Sequence, residues 1–297
     1  MNGKKIAISI ISLSILLGGC SFMGQSDEKE KKADDGTTPV AEYKGQGFIF
    51  VDGDKSKEIV EKNAAEIKKR AIAYMKDTYK TNVKVNNVVP ARDAAVVMVE
   101  AEEPIEFHTS VIVGLDMQKK ELDPSPNVWS QDGVVEGAIV SGLYAKAYKE
   151  EFIQLDSFTA NEAKKYDLEG YNQKSIDKTQ AGGYEQRFYY ISVSSLEFPT
   201  VYKAYLQNNN LSNDSELLRS LFLKDNPDFS NVSISCRYFF KSKGLPKQEE
   251  VDKMREDLNL SKGLPKGLYS IDVYKNFIVN RVGLPNGDST RAQELQK

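Results

Sequence analysis

The single histidine, His108, is the first residue whose chemistry could matter, because imidazole alone titrates near neutral pH without help from its surroundings. Polar and apolar residues alternate around it, as in a half-buried strand, and this spacing places Glu106 and Ser110 on the same face. A carboxylate and a hydroxyl beside an imidazole could serve a hydrolase. Residues two apart on a strand also share a solvated face without doing chemistry, and we favour that interpretation.

Four glutamates lie close together around Pro104, and two of them could act as the acid and base of a glycosidase. They are Glu100, Glu102, Glu103 and Glu106. Such a run is more often a solvated loop than a catalytic pair. We therefore assign no catalytic residue from the sequence, and an envelope hydrolase that uses carboxylates or His108 stays the alternative function.

Several other chemistries are excluded by composition. One histidine excludes a metal site with several histidines, and two cysteines exclude a zinc site or iron–sulfur cluster held by four thiolates. The sequence has no phosphate-binding loop, no dinucleotide fingerprint and no nucleophile elbow. We expect no metal and no cofactor. A net charge of −3 and a pI near 5.6 also argue against a nucleic-acid partner.

A short basic motif is repeated in the last quarter of the chain, where Ser242–Lys247 recurs as Ser261–Lys266. The simpler interpretation is that Gly-Leu-Pro ends a structural element, since glycine closes helices and proline prevents their continuation. The alternative is a basic cluster that contacts an anionic polymer or headgroups. Its members would be Lys243, Lys247, Lys262 and Lys266.

The N-terminus predicts a lipoprotein signal. Two lysines precede the uncharged stretch Ile6–Leu17, whose twelve residues are too few to cross a bilayer, which takes about 20. Small residues then lead to Cys20, an order that resembles the lipobox of bacterial lipoproteins. In that family the cysteine receives a diacylglyceryl group and becomes the first residue of the mature chain. We expect residues 1–19 to be removed as a signal peptide; an ordinary secretory signal with a chance cysteine is the alternative.

The other cysteine, Cys236, has a different expected role. It lies on the apolar side of a predicted strand, between Ile234 and Tyr238. A free cysteine in that position usually acts as a small buried hydrophobe, and a buried thiol is inert. We therefore expect Cys236 to fill the core.

The mature chain divides into three parts by composition. Residues 20–42, which include the lipidated cysteine, are polar and mixed in charge, so we expect a flexible tether. Residues 43–126 and 127–297 are predicted as two α+β subdomains, with the boundary at Pro124–Asn127, where proline interrupts the pattern.

The elements that must position these residues follow from periodicity. We predict helices packed on antiparallel sheets. The helices are expected over 54–80, with Asp54 as its cap, and over 134–152, 197–207, 216–224 and 249–258; the strands over 83–89, 94–99, 105–113, 187–193, 231–241 and 268–279. Residues 166–186 are expected to form a long loop, and the tail from Pro285 to fray.

Two segments, Tyr43–Phe48 and Val89–Asp116, lie behind the lipobox and resemble an uncharacterised family of lipoproteins of Gram-positive bacteria. The resemblance covers most of the mature chain. It implies a lipid-anchored protein on the outer face of the cell membrane, and it implies no activity and no functional residue except Cys20. We therefore expect a non-catalytic envelope protein that binds a protein, peptide or wall polymer.

Overall fold

The computed structural model describes residues 37–241, 244–276, 278–279 and 288–297; the signal peptide and Cys20 lie outside them. The first elements in chain order are β1 (Thr37–Thr38), α1 (Lys57–Lys62), α2 (Ala64–Tyr79), β2 (Lys84–Pro90), β3 (Ala94–Ala101), β4 (Phe107–Asp116), β5 (Glu121–Leu122) and β6 (Val128–Trp129). Next come α3 (Val134–Ala147), α4 (Lys149–Lys165), β7 (Leu168–Glu169), α5 (Gln173–Thr179), β8 (Tyr184–Glu185), β9 (Tyr189–Val193), α6 (Pro199–Gln207) and α7 (Ser215–Asp225). The last are β10 (Val232–Phe240), α8 (Gln248–Leu260), β11 (Leu268–Lys275), β12 (Ile278–Val279), β13 (Ser289–Arg291) and β14 (Leu295–Gln296).

The strands form two larger sheets, which confirms the α+β class. The first has the order β2-β3-β4-β5, with β6 also paired to β4, and it is antiparallel. The second has the order β13-β11-β10-β9-β8, with β7 paired to β10 and β14 to β11. Within it β10 and β11 run parallel, unlike the antiparallel pairing that we predict, because α8 supplies the crossover that parallel neighbours need.

Helix α3 packs against both sheets, through β4 and β9. It is buried on most of its surface, and only Val134, Glu136 and Lys146 keep partial exposure. Gly137 and Gly142 allow the close approach: a Cβ would lie 2.5 Å from the Val193 carbonyl oxygen at one and 2.6 Å from that of Glu106 at the other. The largest cluster of buried side chains draws on both sides of the predicted boundary at 126/127, so the two predicted subdomains share a core.

Both long predicted helices are broken. The helix expected over 54–80 is split at Asn63, whose side-chain amide donates to the Ile59 carbonyl at 2.8 Å and so competes with the helical pattern. Ser56, rather than Asp54, precedes α1. The helix expected over 134–152 is interrupted at Tyr148 and continues as α4 to a point well beyond the predicted end.

Short elements account for the remaining differences. The expected loop over 166–186 contains β7, α5 and β8, and the tail contains β13 and β14, which pair with β11. Val40 is fully buried, and β1 pairs with β12, so the fold begins earlier than the predicted end of the tether at residue 42. Elements of two or three residues are too short to leave a periodic pattern in the sequence.

Candidate functional site

A row of ionisable side chains crosses the first sheet near the turn of the β3–β4 hairpin. Lys84 of β2 pairs with Glu100 of β3, and Glu100 pairs with His108 of β4. Directly opposite residues point to the same face of a sheet, so these three side chains are neighbours. The His108 backbone also pairs with Gly183, which precedes β8, through two hydrogen bonds of 2.7 and 3.0 Å. The row therefore ends where the two sheets meet.

Helix α5 brings a second carboxylate to the histidine. Asn172 begins this helix by accepting a hydrogen bond from the Ser175 backbone N–H at 3.1 Å. One turn later, Asp177 Oδ1 lies 3.3 Å from His108 Nε2, and Glu100 Oε2 lies 3.6 Å from the same nitrogen. The imidazole is fully buried, whereas the Asp177 side chain keeps about a quarter of its surface exposed (24%).

Amide side chains hold both carboxylates in place. Asn86 Nδ2 donates to Glu100 Oε2 at 2.7 Å, and Gln173 Nε2 donates to Asp177 Oδ1 at 2.7 Å. Each carboxylate therefore has a fixed orientation toward the imidazole, which a site that recognises a ligand requires.

A cavity of about 350 Å³ opens beside this row. It is lined by Lys84, Glu100, Glu102, Glu106, Gln173 and Asp177. Lys84 contacts both Glu102 and Glu100, and its hydrogen bond to Glu102 is the main reason why the pKa of Lys84 is raised. Four of the lining residues are carboxylates and one is a cation, so the cavity has an excess of negative charge.

A second cavity of about 440 Å³ shares the Glu102 and Glu106 wall with the first. Burial raises the pKa of Glu106, against the opposing effect of a hydrogen bond from Gln186 at 3.0 Å. The other charged residues of this cavity are Glu103, Glu150, Lys146, Lys149 and Arg219. The two cavities together present both signs of charge.

The sequence prediction for His108 was wrong in one respect. The residue does not lie on a solvated face, because α5 and the segment around Gly183 cover that side of β4. Glu106 lines both cavities, whereas Ser110 lies opposite Met98 and has no hydrogen bond to His108 within the described part of the chain. The imidazole is therefore paired with carboxylates and not with a hydroxyl.

The sequence does not predict that Asp177 and Glu100 are the carboxylates next to His108. Asp177 lies in the segment that we predict as a loop; the cap residue Asn172 at its start was the available signal for a helix there. Glu100 is named only as one of several glutamates, because its pairing with His108 depends on the register of the hairpin.

The repeated basic motif is spread out in space. Lys247 immediately precedes α8 and Lys262 follows it, so a helix of 13 residues, about 20 Å long, separates them. Lys266 lies over the Phe229 ring at 5.8 Å, and Lys243 is outside the described residues. Gly244 and Gly263 have φ angles of +97° and +74°, as expected for glycines that end elements. A role in binding an anionic polymer stays a prediction.

A second cluster of buried charge lies on β10. The Arg237 guanidinium lies between the rings of Tyr171 and Tyr190, 4.7 Å from each centroid. Its Nη2 donates to Glu185 Oε2 at 2.8 Å and its Nη1 to Gln180 Oε1 at 3.0 Å. Here one buried cation balances one buried carboxylate.

The neighbouring thiol matches its expected role. Cys236 is buried beside this cluster, and burial raises the pKa of its thiol to about 12. A thiol with such a pKa stays protonated at neutral pH and is a poor nucleophile.

Two of three comparisons with known proteins give a match. A family model described as a protein of unknown function (DUF1672) matches residues 30–297. A crystal structure of a DUF1672 family protein from Staphylococcus aureus subsp. aureus Mu50, determined at 1.80 Å, is 23% identical and has a TM-score of 0.70; the match covers 88% of this chain and 97% of that one. At this identity the likeness shows the fold. A comparison with curated proteins gives no match. The resemblance to an uncharacterised family is thus confirmed.

Proposed function

Because this chain belongs to the DUF1672 family, whose description assigns no activity, we propose a function from its own residues. The protein is a lipid-anchored component of the outer face of the cell membrane, and it binds a peptide-like ligand without turning it over. The anchor and the binding cleft are separate parts of this proposal, with separate tests.

The lipobox carries the proposed anchor. Cys20 follows a short uncharged stretch and small residues, and two acyl chains on its thiol would give stable attachment where one chain would not. Within the described residues, no helix is long and apolar enough to cross a bilayer.

The anchor is tested by replacing each cysteine in turn. We expect Cys20→Ala to abolish incorporation of a fatty-acid analogue and to leave the signal peptide uncleaved. Cys236→Ala is the matched control, since its buried thiol should contribute no label. Equal labelling of the Cys20→Ala variant and the natural protein would contradict the proposed anchor.

The pair of adjoining cavities is the observation that carries the proposed binding role. One cavity has a negative excess, and the other adds Lys146 and Lys149, so an extended ligand with charges of both signs fits the pair. A peptide has this character, because its amines and carboxylates can alternate along the chain. The shared wall of Glu102 and Glu106 places acceptors for an amine between the two cavities.

Binding without turnover is favoured because no nucleophile meets the histidine in the described residues. Ser110 has no hydrogen bond to His108, and the Cys236 thiol is buried with a pKa of about 12. An envelope hydrolase stays the second candidate, since Glu102 and Glu106 face the same two cavities and hydrolases of glycosides use paired carboxylates.

The binding role is tested with fluorescent nonapeptides of alternating Lys and Glu, all Lys, or all Glu, added to the lipidated protein in detergent. We expect the alternating peptide to give the largest anisotropy change. Glu102→Gln combined with Glu106→Gln should weaken its binding about tenfold or more, whereas the exposed control Glu216→Gln should not. Equal affinity for the double variant would contradict the proposed cleft, and cleaved peptide in the mass spectrum would favour the hydrolase.

A further inference from the structure

The histidine and its two carboxylates have the spacing of ligands around one ion. Glu100, His108 and Asp177 each offer one donor atom, and these three atoms lie within 4.8 Å of one another. Donor atoms about 2.1 Å from a tetrahedral zinc ion are about 3.4 Å apart. The separations from His108 Nε2, 3.3 and 3.6 Å, match that value.

The same separations fit a hydrogen bond less well. Asp177 Oδ1 is within hydrogen-bond distance of Nε2 at 3.3 Å, at the long end of the usual range, whereas Glu100 Oε2 at 3.6 Å lies beyond it. The other ring nitrogen, Nδ1, is buried without a hydrogen-bond partner in the described residues. An ion bound at Nε2 would leave Nδ1 unchanged, so the three converging donor atoms and the acidic cavity carry the proposal.

We propose that Glu100, His108 and Asp177 bind a divalent transition-metal ion, with Zn²⁺ as the best-suited ion, and that the cavity of about 350 Å³ gives access to its remaining coordination positions. One imidazole with two carboxylates suits zinc and its neighbours better than calcium or magnesium, which prefer oxygen alone. The negative excess of the cavity favours a cation in the same place. This site is independent of the lipid anchor, but it opens into one of the two cavities of the proposed peptide cleft; zinc binding measured without peptide therefore tests it separately.

Lys84 competes with the ion for Glu100. Its ammonium lies 3.2 Å from Glu100 Oε2, the oxygen that would face the metal. It also contacts Glu102, which is exposed and lies outside the ligand set, so Lys84 can keep a partner when the ion takes Glu100. When the divalent ion binds, it takes the place of the Lys84 ammonium as the cation next to Glu100.

The ligand test uses the full lipidated protein in detergent, titrated with ZnCl₂ alone against a chromophoric chelator. We expect one ion per chain, with a dissociation constant of about 10 μM or tighter. Asp177→Asn and His108→Gln should each weaken binding about 100-fold or more, since outer partners alone are worth 10- to 100-fold. Asp167→Asn is the control, because that exposed carboxylate pairs with Lys241 away from the site.

Lys84→Met gives a result that a merely structural role would not. Removal of the competing ammonium should tighten zinc binding about tenfold, whereas a purely structural role for these residues predicts no gain in affinity. Circular dichroism identifies a variant that does not fold. If His108→Gln does not fold, Asp177→Asn still tests the site, because it alters only a partly exposed side chain. Zinc binding weaker than about 100 μM, or unchanged in Asp177→Asn, would overturn the proposal.

Discussion

Two buried charge clusters, one in each sheet, use similar side chains in different proportions. On β10 one guanidinium faces one carboxylate, whereas in the first sheet Lys84 is the one cation that lines a cavity with four carboxylates, two of which face an imidazole. The matched pair is a part of the scaffold, because each charge neutralises the other, although Arg237 Nε has no hydrogen-bond partner in the described residues. Unmatched buried charge costs free energy unless an outside group compensates it. The ratio of carboxylates to cations, rather than the presence of buried charge, distinguishes the candidate site from the scaffold.

The largest expected effect comes from breaking the matched pair. Arg237→Met leaves Glu185, which is 3% exposed, without its cation, and should cost about 3–5 kcal/mol of unfolding free energy in urea. The double variant with Glu185→Leu removes both charges and should recover at least half of that loss. A cost below about 1 kcal/mol for the single variant would show that the pair is not structural.

An intermediate effect is expected at Glu162, a carboxylate of α4 that is only 5% exposed. Burial, and then the charge of Asp257, raises its pKa to about 7. A folded-state pKa above the unfolded value of 4.5 means that ionisation opposes folding, so stability is lost as the pH rises from about 4.5 through 7. Glu162→Gln should therefore match the natural protein at pH 4 and exceed it by about 1–2 kcal/mol at pH 8.

Thermal unfolding across this pH range checks the Glu162 prediction. The melting temperature of Glu162→Gln should exceed that of the natural protein by about 2–8 °C at pH 8 and by nothing measurable at pH 4. A constant difference at all pH values would mean that Glu162 does not titrate between them.

The smallest effect should come from the unmatched cluster itself. Asp177→Asn, measured in urea with a chelator present, should change the unfolding free energy by less than about 1 kcal/mol, because it removes one of two carboxylates that face one imidazole. Glu185→Gln is the matched change in the other cluster and should cost at least twice as much. Equal costs would remove the distinction between the two clusters.

The regular parts of this fold were predictable because they carry long periodic patterns. The unbroken apolar run of β3 is buried along its whole length, and the alternation of β10 places Cys236 in the core as expected. These elements contain eight and nine residues, long enough for the period to be read from the sequence.

The site was harder to predict because it depends on contacts between distant segments. His108 is buried because α5 and the segment around Gly183, both about 70 residues further along the chain, cover it, and α5 supplies Asp177. Glu100 lies opposite His108 because of the register of the β3–β4 hairpin. The sequence alone does not set that register, and a shift of one residue would turn the side chain to the other face. The local sequence therefore points to Glu106 and Ser110 as neighbours of His108. The carboxylates closest to the imidazole in the structure belong to β3 and α5.

The reciprocal pairing of His108 with Gly183 makes two backbone amides reporters of cooperativity. Each amide proton can exchange with deuterium only when the two sheets part at that point, or when the whole protein unfolds. Protection equal to that in the middle of β3 would show that the described residues open as one unit, as their shared core suggests. Faster exchange at these two amides would show that the regions before and after residue 126 retain some independence.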